Sequence, residues 1–192
     1  MNEQTLALIE DQERWHREVL PRSPEALDHA LRFAAEAHGW QTRKYTNDPY
    51  IVHPMNVARL VAEVFPDIDM IEAAYLHDVV EDTHVTQADI AEHFSFRVAR
   101  FVKGLTDVYT DPKVHGNRQT RKDAERVRLS QECWEVQTIK MADLCDNSCS
   151  ITRYDPDFSV VYLREKARLV NNLTLARPEL RELATLILEM NR

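Results

Sequence analysis

The sequence predicts an all-α fold, a single-domain bundle of about eight to ten helices. Three observations carry this expectation. Apolar residues recur at helical spacing almost throughout the 192 residues. Glycine occurs only three times, as Gly39, Gly104 and Gly116, which leaves few of the positive-φ positions that tight β-turns need. Proline and capping residues punctuate the chain at intervals of helix length.

The elements follow in order. Residues 3–20 form an amphipathic segment, broken by Pro21 and Pro24. Ser23 and Pro24 read as N-cap and first turn of the next helix, which carries Leu27, Leu31, Ala34 and Ala35 and ends at Gly39. Residues 40–52 lack a helical period, and Asn47-Asp48-Pro49 marks a turn. Pro54 is expected to open a third helix, with Val57, Leu60, Val61 and Val64 on one face, stopping at Pro66. Asp69 and Glu72 have the D-x-x-E spacing of a capping box and are expected to start the fourth helix; Thr86 and Asp89 repeat the pattern further on. Residues 95–108 carry Val98, Phe101, Val102 and Leu105 at helical spacing, and residues 109–118 read as a loop. Lys113, Arg118, Arg121, Lys122, Arg126 and Arg128 make the next stretch basic. A helix over residues 135–151, a break at Asp155-Pro156-Asp157, a helix over 160–173 and a final helix introduced by Arg177-Pro178 complete the chain. No internal repeat, low-complexity tract or linker divides it, so one domain over residues 1–192 is expected.

Composition narrows the function classes. Charged residues are 29% and hydrophobic residues 44%, ordinary values for a soluble protein. No apolar run approaches the ~20 residues that span a bilayer. The acidic start, MNEQTLALIEDQERWH, lacks the basic and apolar regions of a signal peptide, so a cytoplasmic protein without membrane partners is expected. The net charge of −8 argues against a dedicated nucleic-acid binder, while leaving room for a local basic pocket that takes a small anion. No glycine belongs to a GxGxxG or GxxxxGK[ST] pattern, which excludes Rossmann and P-loop phosphate cradles. Cys133, Cys145 and Cys149 show no CxxC spacing. Cys145 and Cys149, four apart on one predicted helix, admit a metal or redox pair; two reduced packing cysteines are the expectation.

The densest chemistry lies in LHDVVEDTH, residues 76–84, which holds His77, Asp78, Glu81, Asp82 and His84. On a continuous helix His77 shares a face with Glu81, and Asp78 with Asp82, at about 6 Å. Acids in a C-terminal turn oppose the helix dipole. A solvated helix end is one reading of them, and compensation by a bound cation is the other. His84 reads as a plain loop histidine. His53 precedes Pro54 and so sits at a helix N-terminus on stiff backbone. Asp143 interrupts the apolar stripe Ile139, Met141 and Leu144, and a carboxylate there is costly to bury unless paired or metal-bound. Lys140, three residues earlier, offers a salt bridge, and Asn147, four later, faces the same way.

The segments AHGWQTRK, DPYIVHP, AAYLHDVVEDT, FSFRVARFVKGLT and IKMADLCDN, in this order, resemble the hydrolase domain of the RelA/SpoT homologues. These belong to the HD superfamily of metal-dependent phosphohydrolases. The match spans about residues 27–152, with residues 153–192 as C-terminal helices completing the bundle. The HDxxED element resembles the version tied to alarmone pyrophosphate hydrolysis. The resemblance implies an HD-type fold and a stand-alone small alarmone hydrolase, similar to the metazoan SpoT homologue and without synthetase or regulatory domains.

It further implies that His53, His77, Asp78 and Asp143 hold one divalent cation, Mn²⁺ by resemblance, although the ligand types alone also admit Fe²⁺ or Zn²⁺. Glu81 and Asp82 would orient the attacking water and move its proton. The implied reaction removes pyrophosphate from the 3′ position of (p)ppGpp, giving GDP or GTP. Arg43 and Lys44 match a pair that lines the base and phosphates. Asn147 matches a residue near the ribose, and Lys140, Ser150 and Tyr162 are expected around the same substrate. The basic segment 113–128 either meets distal phosphates or is a solvated helix face. Tyr45-Thr46-Asn47-Asp48 departs from the small residue and glycine that usually follow the pair. Tyr45 would then sit near the base, which keeps the adenosine analogue (p)ppApp in play. Leu144 and Asp146 replace an arginine and a histidine of the pattern, and Trp40 replaces a glycine. Two competing readings are an HD nucleotidase or pyrophosphatase acting on another nucleotide, and a non-catalytic nucleotide sensor or antitoxin. The oligomeric state is not legible.

Overall fold

The computed structural model describes residues 1–191. Its regular structure is helical: twelve segments among the described residues, ten of them seven residues or longer, with one isolated β-bridge between Thr42 and Pro49. The chain forms two compact units, Met1–Lys103 and a second from Gly104 on.

The first unit begins with α1 (Glu3–Val19) and α2 (Pro24–His38). Asn2 caps α1 by accepting from the Thr5 amide at 2.7 Å. Gly39 ends α2 with φ +56°, a backbone state that strains any residue with a Cβ, and its N–H donates to the Ala35 carbonyl at 3.0 Å. Next comes α3 (Val52–Val64), which starts two residues earlier than expected. Pro54 lies inside its first turn, where no intrahelical N–H bond is needed. Then α4 (Ile68–Leu76) runs through the middle of the unit, against α2 and α3. Met70, Ile71, Ala73, Ala74, Tyr75 and Leu76 are all buried, the signature of a helix enclosed on every side.

The expected cap of α4 is corrected. Asp67, not Asp69, accepts from the Met70 amide, at 3.0 Å. Asp69 instead accepts from Arg97 and Ser95, both at 2.8 Å, which pins the start of α7 to this corner. A short α5 (Val79–Asp82) and α6 (Gln87–His93) follow, the latter with the expected Thr86–Asp89 capping box fully formed. α7 (Phe96–Leu105) ends three residues before the expected 108.

A buried polar chain ties this unit together. His16 Nδ1 meets Asp28 at 2.6 Å, its Nε2 meets the Tyr75 hydroxyl at 2.6 Å, and Gln12 donates to that hydroxyl at 2.6 Å. Arg59 closes the chain on Gln12 Oε1 at 2.8 Å. Residues of α1, α2, α3 and α4 thus satisfy one another around the enclosed Gln12, His16 and Tyr75, while Asp28 and Arg59 reach the surface.

The second unit holds α8 (Pro112–His115), α9 (Arg118–Ser130), α10 (Trp134–Tyr154), α11 (Pro156–Asn172) and α12 (Pro178–Met190). The expected loop at 109–118 therefore contains a helical turn, α10 extends beyond both expected ends, and α11 starts four residues earlier than expected and ends one residue earlier. The spine is α10, packed by α9, α11 and α12, with Val136, Ile139, Met141, Ala142 and Leu144 buried. Glu125 on α9 is buried and accepts from the amides of Val108 and Tyr109 and from Arg128. Arg128 also donates to the Gly104 carbonyl at 2.9 Å. A Cβ at Gly104 would stand 3.1 Å from Val136, so only glycine allows this approach without displacement. All three cysteines are free thiols. Cys145 is buried as expected for packing, but Cys149 is exposed.

Candidate active site

His53 is the second residue of α3, its amide bonded to the Tyr50 carbonyl at 3.0 Å. His77 follows the last residue of α4, and its Nδ1 faces the Ala74 carbonyl at 2.8 Å. A carbonyl accepts only, so Nδ1 carries the proton and Nε2 presents a lone pair. That Nε2 lies 3.2 Å from His53 Nε2 and 3.1 Å from Asp78 Oδ2, while His53 Nε2 is 3.6 Å from the same oxygen. Both imidazoles are buried. Three donor atoms of metal-ligating type therefore converge in the first unit. Ligand bonds of about 2.1 Å place neighbouring ligand atoms roughly 3 Å apart, so this His/His/Asp set fits a divalent cation.

The continuous helix expected through residues 77–82 does not form. α4 stops at Leu76, and Asp78 sits at φ −100°, ψ −7°, outside regular helix geometry, before α5 restarts at Val79. Asp78 and Asp82 do converge, through Tyr50: its hydroxyl donates to Asp78 at 2.6 Å and stands 3.2 Å from Asp82. Partial burial, then the Asp78 charge, push the Asp82 carboxyl above its ordinary range, although the residue as a whole is exposed. Glu81 is exposed on α5, and His84 is exposed in the loop beyond it.

The residues that sequence reasoning missed surround this group. His38, the last residue of α2, stacks on Tyr50 with ring centroids 4.4 Å apart. Its Nδ1 meets Gln41 Oε1 at 2.9 Å, and Gln41 donates to the Asp82 carbonyl at 2.7 Å. Burial lowers the His38 pKa against the pull of Gln41, Asp78 and Asp82. His38 Nε2 is buried and has no hydrogen-bond partner among the described residues. An orphaned buried nitrogen beside two carboxylates marks a polar site that the protein alone does not complete. His38 and Gln41 lie in AHGWQTRK and Tyr50 in DPYIVHP, so the segments pointed to them although single-residue reasoning did not.

Arg43, Lys44 and Tyr45 occupy the loop after α2, held by the Arg43 amide bonding to the Asp48 carbonyl at 2.9 Å. Lys44 Nζ stands 3.0 Å from the Tyr45 hydroxyl. In the second unit, Asp143 is buried on α10 and takes both expected neighbours: Lys140 at 3.0 Å and the Asn147 amide at 2.6 Å. The Ser150 hydroxyl donates to the Asn147 carbonyl at 3.2 Å. Tyr162 is buried on α11, with its hydroxyl 3.3 Å from Ser148, and burial holds its pKa well above the usual phenol value.

A family model described as HD domain matches residues 30–145. The chain belongs to the HD-domain family. This HD domain is 39% identical over 128 residues to the guanosine-3′,5′-bis(diphosphate) 3′-pyrophosphohydrolase of Aquifex aeolicus, covering 66% of the chain and 18% of that relative. It is 32% identical over 163 residues to the mouse (Mus musculus) guanosine-3′,5′-bis(diphosphate) 3′-pyrophosphohydrolase MESH1, covering 80% of the chain and 87% of MESH1. Its fold matches the solved structure of a metazoan orthologue of SpoT that hydrolyses ppGpp, with TM-score 0.77 and 26% identity, over 86% of this chain and 94% of that one. The chain spans under a fifth of the Aquifex relative and 19% of the Vibrio cholerae one. It is an HD-superfamily domain closely related to the SpoT- and RelA-type hydrolases. No described helix is long and apolar enough to cross a membrane.

Proposed function

We propose that this HD domain is a metal-dependent 3′-pyrophosphohydrolase of guanosine alarmones, acting on (p)ppGpp, and that residues 1–192 work as one hydrolase domain in the cytoplasm. The convergence of His53, His77 and Asp78 beside Asp82 carries the reading. Relatives whose names state this activity, one matched over most of its length, support it. His53, His77, Asp78 and Asp143 would hold the cation, with Mn²⁺ as the assigned metal. When bound, the cation acidifies a water and offsets charge at phosphorus.

The chain's own residues do the rest. Tyr50 fixes Asp78 by a short hydrogen bond and so holds its metal-facing oxygen in place. Glu81 and Asp82 orient the water, and one of them takes its proton as its oxygen bonds to the phosphorus next to O3′. The P–O3′ bond breaks, pyrophosphate leaves, and O3′ regains a proton. The raised pKa of Asp82 suits a carboxyl that both accepts and returns one. Arg43 and Lys44 meet the phosphates and base, Tyr45 flanks the base, and Lys140, Asn147, Ser150 and Tyr162 line the ribose side. Because Lys44 already engages Tyr45, an aromatic wall replaces the usual small residue, and this favours (p)ppApp as a second substrate.

The test is pyrophosphate release from ppGpp and ppApp with and without Mn²⁺. Glu81→Gln is expected to keep the fold and the metal while turnover falls by at least 100-fold, the usual scale for a lost general base. Undiminished turnover in Glu81→Gln would remove Glu81 from the mechanism. Absence of release from both nucleotides, with Mn²⁺ bound, would overturn the reading itself.

A further inference from the structure

The second unit contains a groove of about 320 Å³ between α9 and α11. Arg118, Lys122 and Arg126 line it from α9, and Arg164 and Arg168 from α11. The lining carboxylates are Asp123 and Glu165, so five cations face two anions. This concentration stands on a chain whose net charge is −8.

The spacing makes the excess costly. Arg118, Lys122 and Arg126 are successively four apart on one helix, and Arg164 and Arg168 are four apart on the other. Like charges at that spacing repel within each helix. The carboxylates relieve only part of it. Glu165 grips Arg118 through two bonds of 2.9 Å, and Asp123 is shared between Arg126 at 3.3 Å and Arg168 at 3.9 Å. Lys122 is held by Asp107 at 2.9 Å. Among the described residues, Arg164 makes no ion pair. Arg164 and Arg168 are both exposed. The remaining wall is Gln119 and Val161, with no aromatic side chain lining the groove on which a base could stack.

We propose that this groove is a second anion site, which binds a run of adjacent phosphates: an inorganic oligophosphate or the polyphosphate tail of a nucleotide. Guanidinium forks match phosphate oxygens two at a time, and three arginines beyond the one gripped by Glu165 can provide them. From Arg118 to Arg126 the helix rises about 12 Å, room for several phosphates in a row. The missing aromatic wall disfavours single-stranded nucleic acid, which relies on stacking. The groove adjoins a pocket that Lys122, Arg126 and Glu165 share with Lys140, a residue of the proposed hydrolytic site, but its five cations are not among the ligands or catalytic carboxylates of that proposal.

The experiment is calorimetric titration of the full chain with inorganic tripolyphosphate in excess EDTA, repeated with ATP and with a single-stranded oligonucleotide. Wild-type protein is expected to bind one tripolyphosphate, with affinity falling as salt rises. The double variant Arg164→Ser/Arg168→Ser is expected to bind at least tenfold more weakly, with an unchanged or higher melting temperature because a repulsion is removed. Asp78→Asn is expected to bind as wild type, which separates this site from the hydrolytic centre. Arg164→Glu alone, at an exposed position, gives the same readout if the double variant misfolds. ATP binding as tightly as tripolyphosphate assigns the nucleotide tail, and weaker ATP binding assigns the free oligophosphate. Equal affinity in wild type and the arginine variants, loss of binding in Asp78→Asn, or tighter binding of the oligonucleotide would each overturn the proposal.

Discussion

At the scale of single residues, Glu72 makes a test independent of catalysis. It is the one carboxylate in the buried run of α4, and burial, then the nearby Asp69 charge, push it up to about 7. The unfolded chain releases that proton near the ordinary value of 4.5. Between these values the native state binds more protons than the unfolded one, so stability falls as pH rises from about 4.5 to about 7 and then levels off. Glu72→Gln should therefore match wild type at pH 4.5 and exceed it above pH 7, by on the order of 3 kcal/mol. Urea denaturation at the two pH values measures this; a constant difference between the proteins would refute it. The same scale shows where sequence reading stops. His53, His77 and Asp78 were singled out together by the ordered segments of the family resemblance, and the fold brings their ligand-type atoms within 3.6 Å of one another. Tyr50 and His38 were not, because a tyrosine in a turn and a histidine ending a helix gain meaning only from what folds against them, here Asp78 and Asp82.

At the scale of elements, apolar period and prolines gave helix identity, while side-chain competition decided the ends. Asp67 and Asp69 both stand where a cap is possible, and the chain uses Asp67 because Arg97 and Ser95 draw Asp69 away. The sequence pattern at residue 86 succeeded because nothing distant competes for that box: Thr86 and Asp89 satisfy each other. Thr86→Ala should cost about 1 kcal/mol, the ordinary worth of such a cap, and Thr86→Ser much less. Chemical denaturation followed by circular dichroism reads both. Likewise, the break between α4 and α5 was hidden because residues 77–82 keep helical spacing on paper. The His77 ring on the Ala74 carbonyl and the bridge-region Asp78 become visible only in three dimensions.

At the scale of the whole molecule, a cation that binds only the folded chain adds stability by mass action. At a free Mn²⁺ concentration of 100 times its dissociation constant this amounts to about 2.7 kcal/mol, which in a chain of this size raises the melting temperature by roughly 5–10 °C. EDTA should remove that increment and Mn²⁺ restore it. Asp78→Asn should melt at one temperature in both conditions, and Asp143→Asn likewise if Asp143 is the fourth ligand. A melting temperature indifferent to Mn²⁺ in wild type would refute the metal assignment.

The Gln12–His16–Tyr75 chain bears on where this HD domain can be cut. The matched family segment starts at residue 30, beyond α1, and α1 holds none of the proposed ligands. Yet Tyr75 lies two residues before His77, and its enclosed hydroxyl is satisfied by Gln12 and His16. A version trimmed to the matched segment would remove Gln12, His16 and Asp28 together and strand that hydroxyl inside the helix that delivers His77. Trimming at residue 30 should therefore lower Mn²⁺ affinity without touching a ligand, whereas removing Met1 alone, which spares the Asn2 cap and all of α1, should not. The helix with no motif is in this sense the fixture on which a motif-bearing helix is mounted.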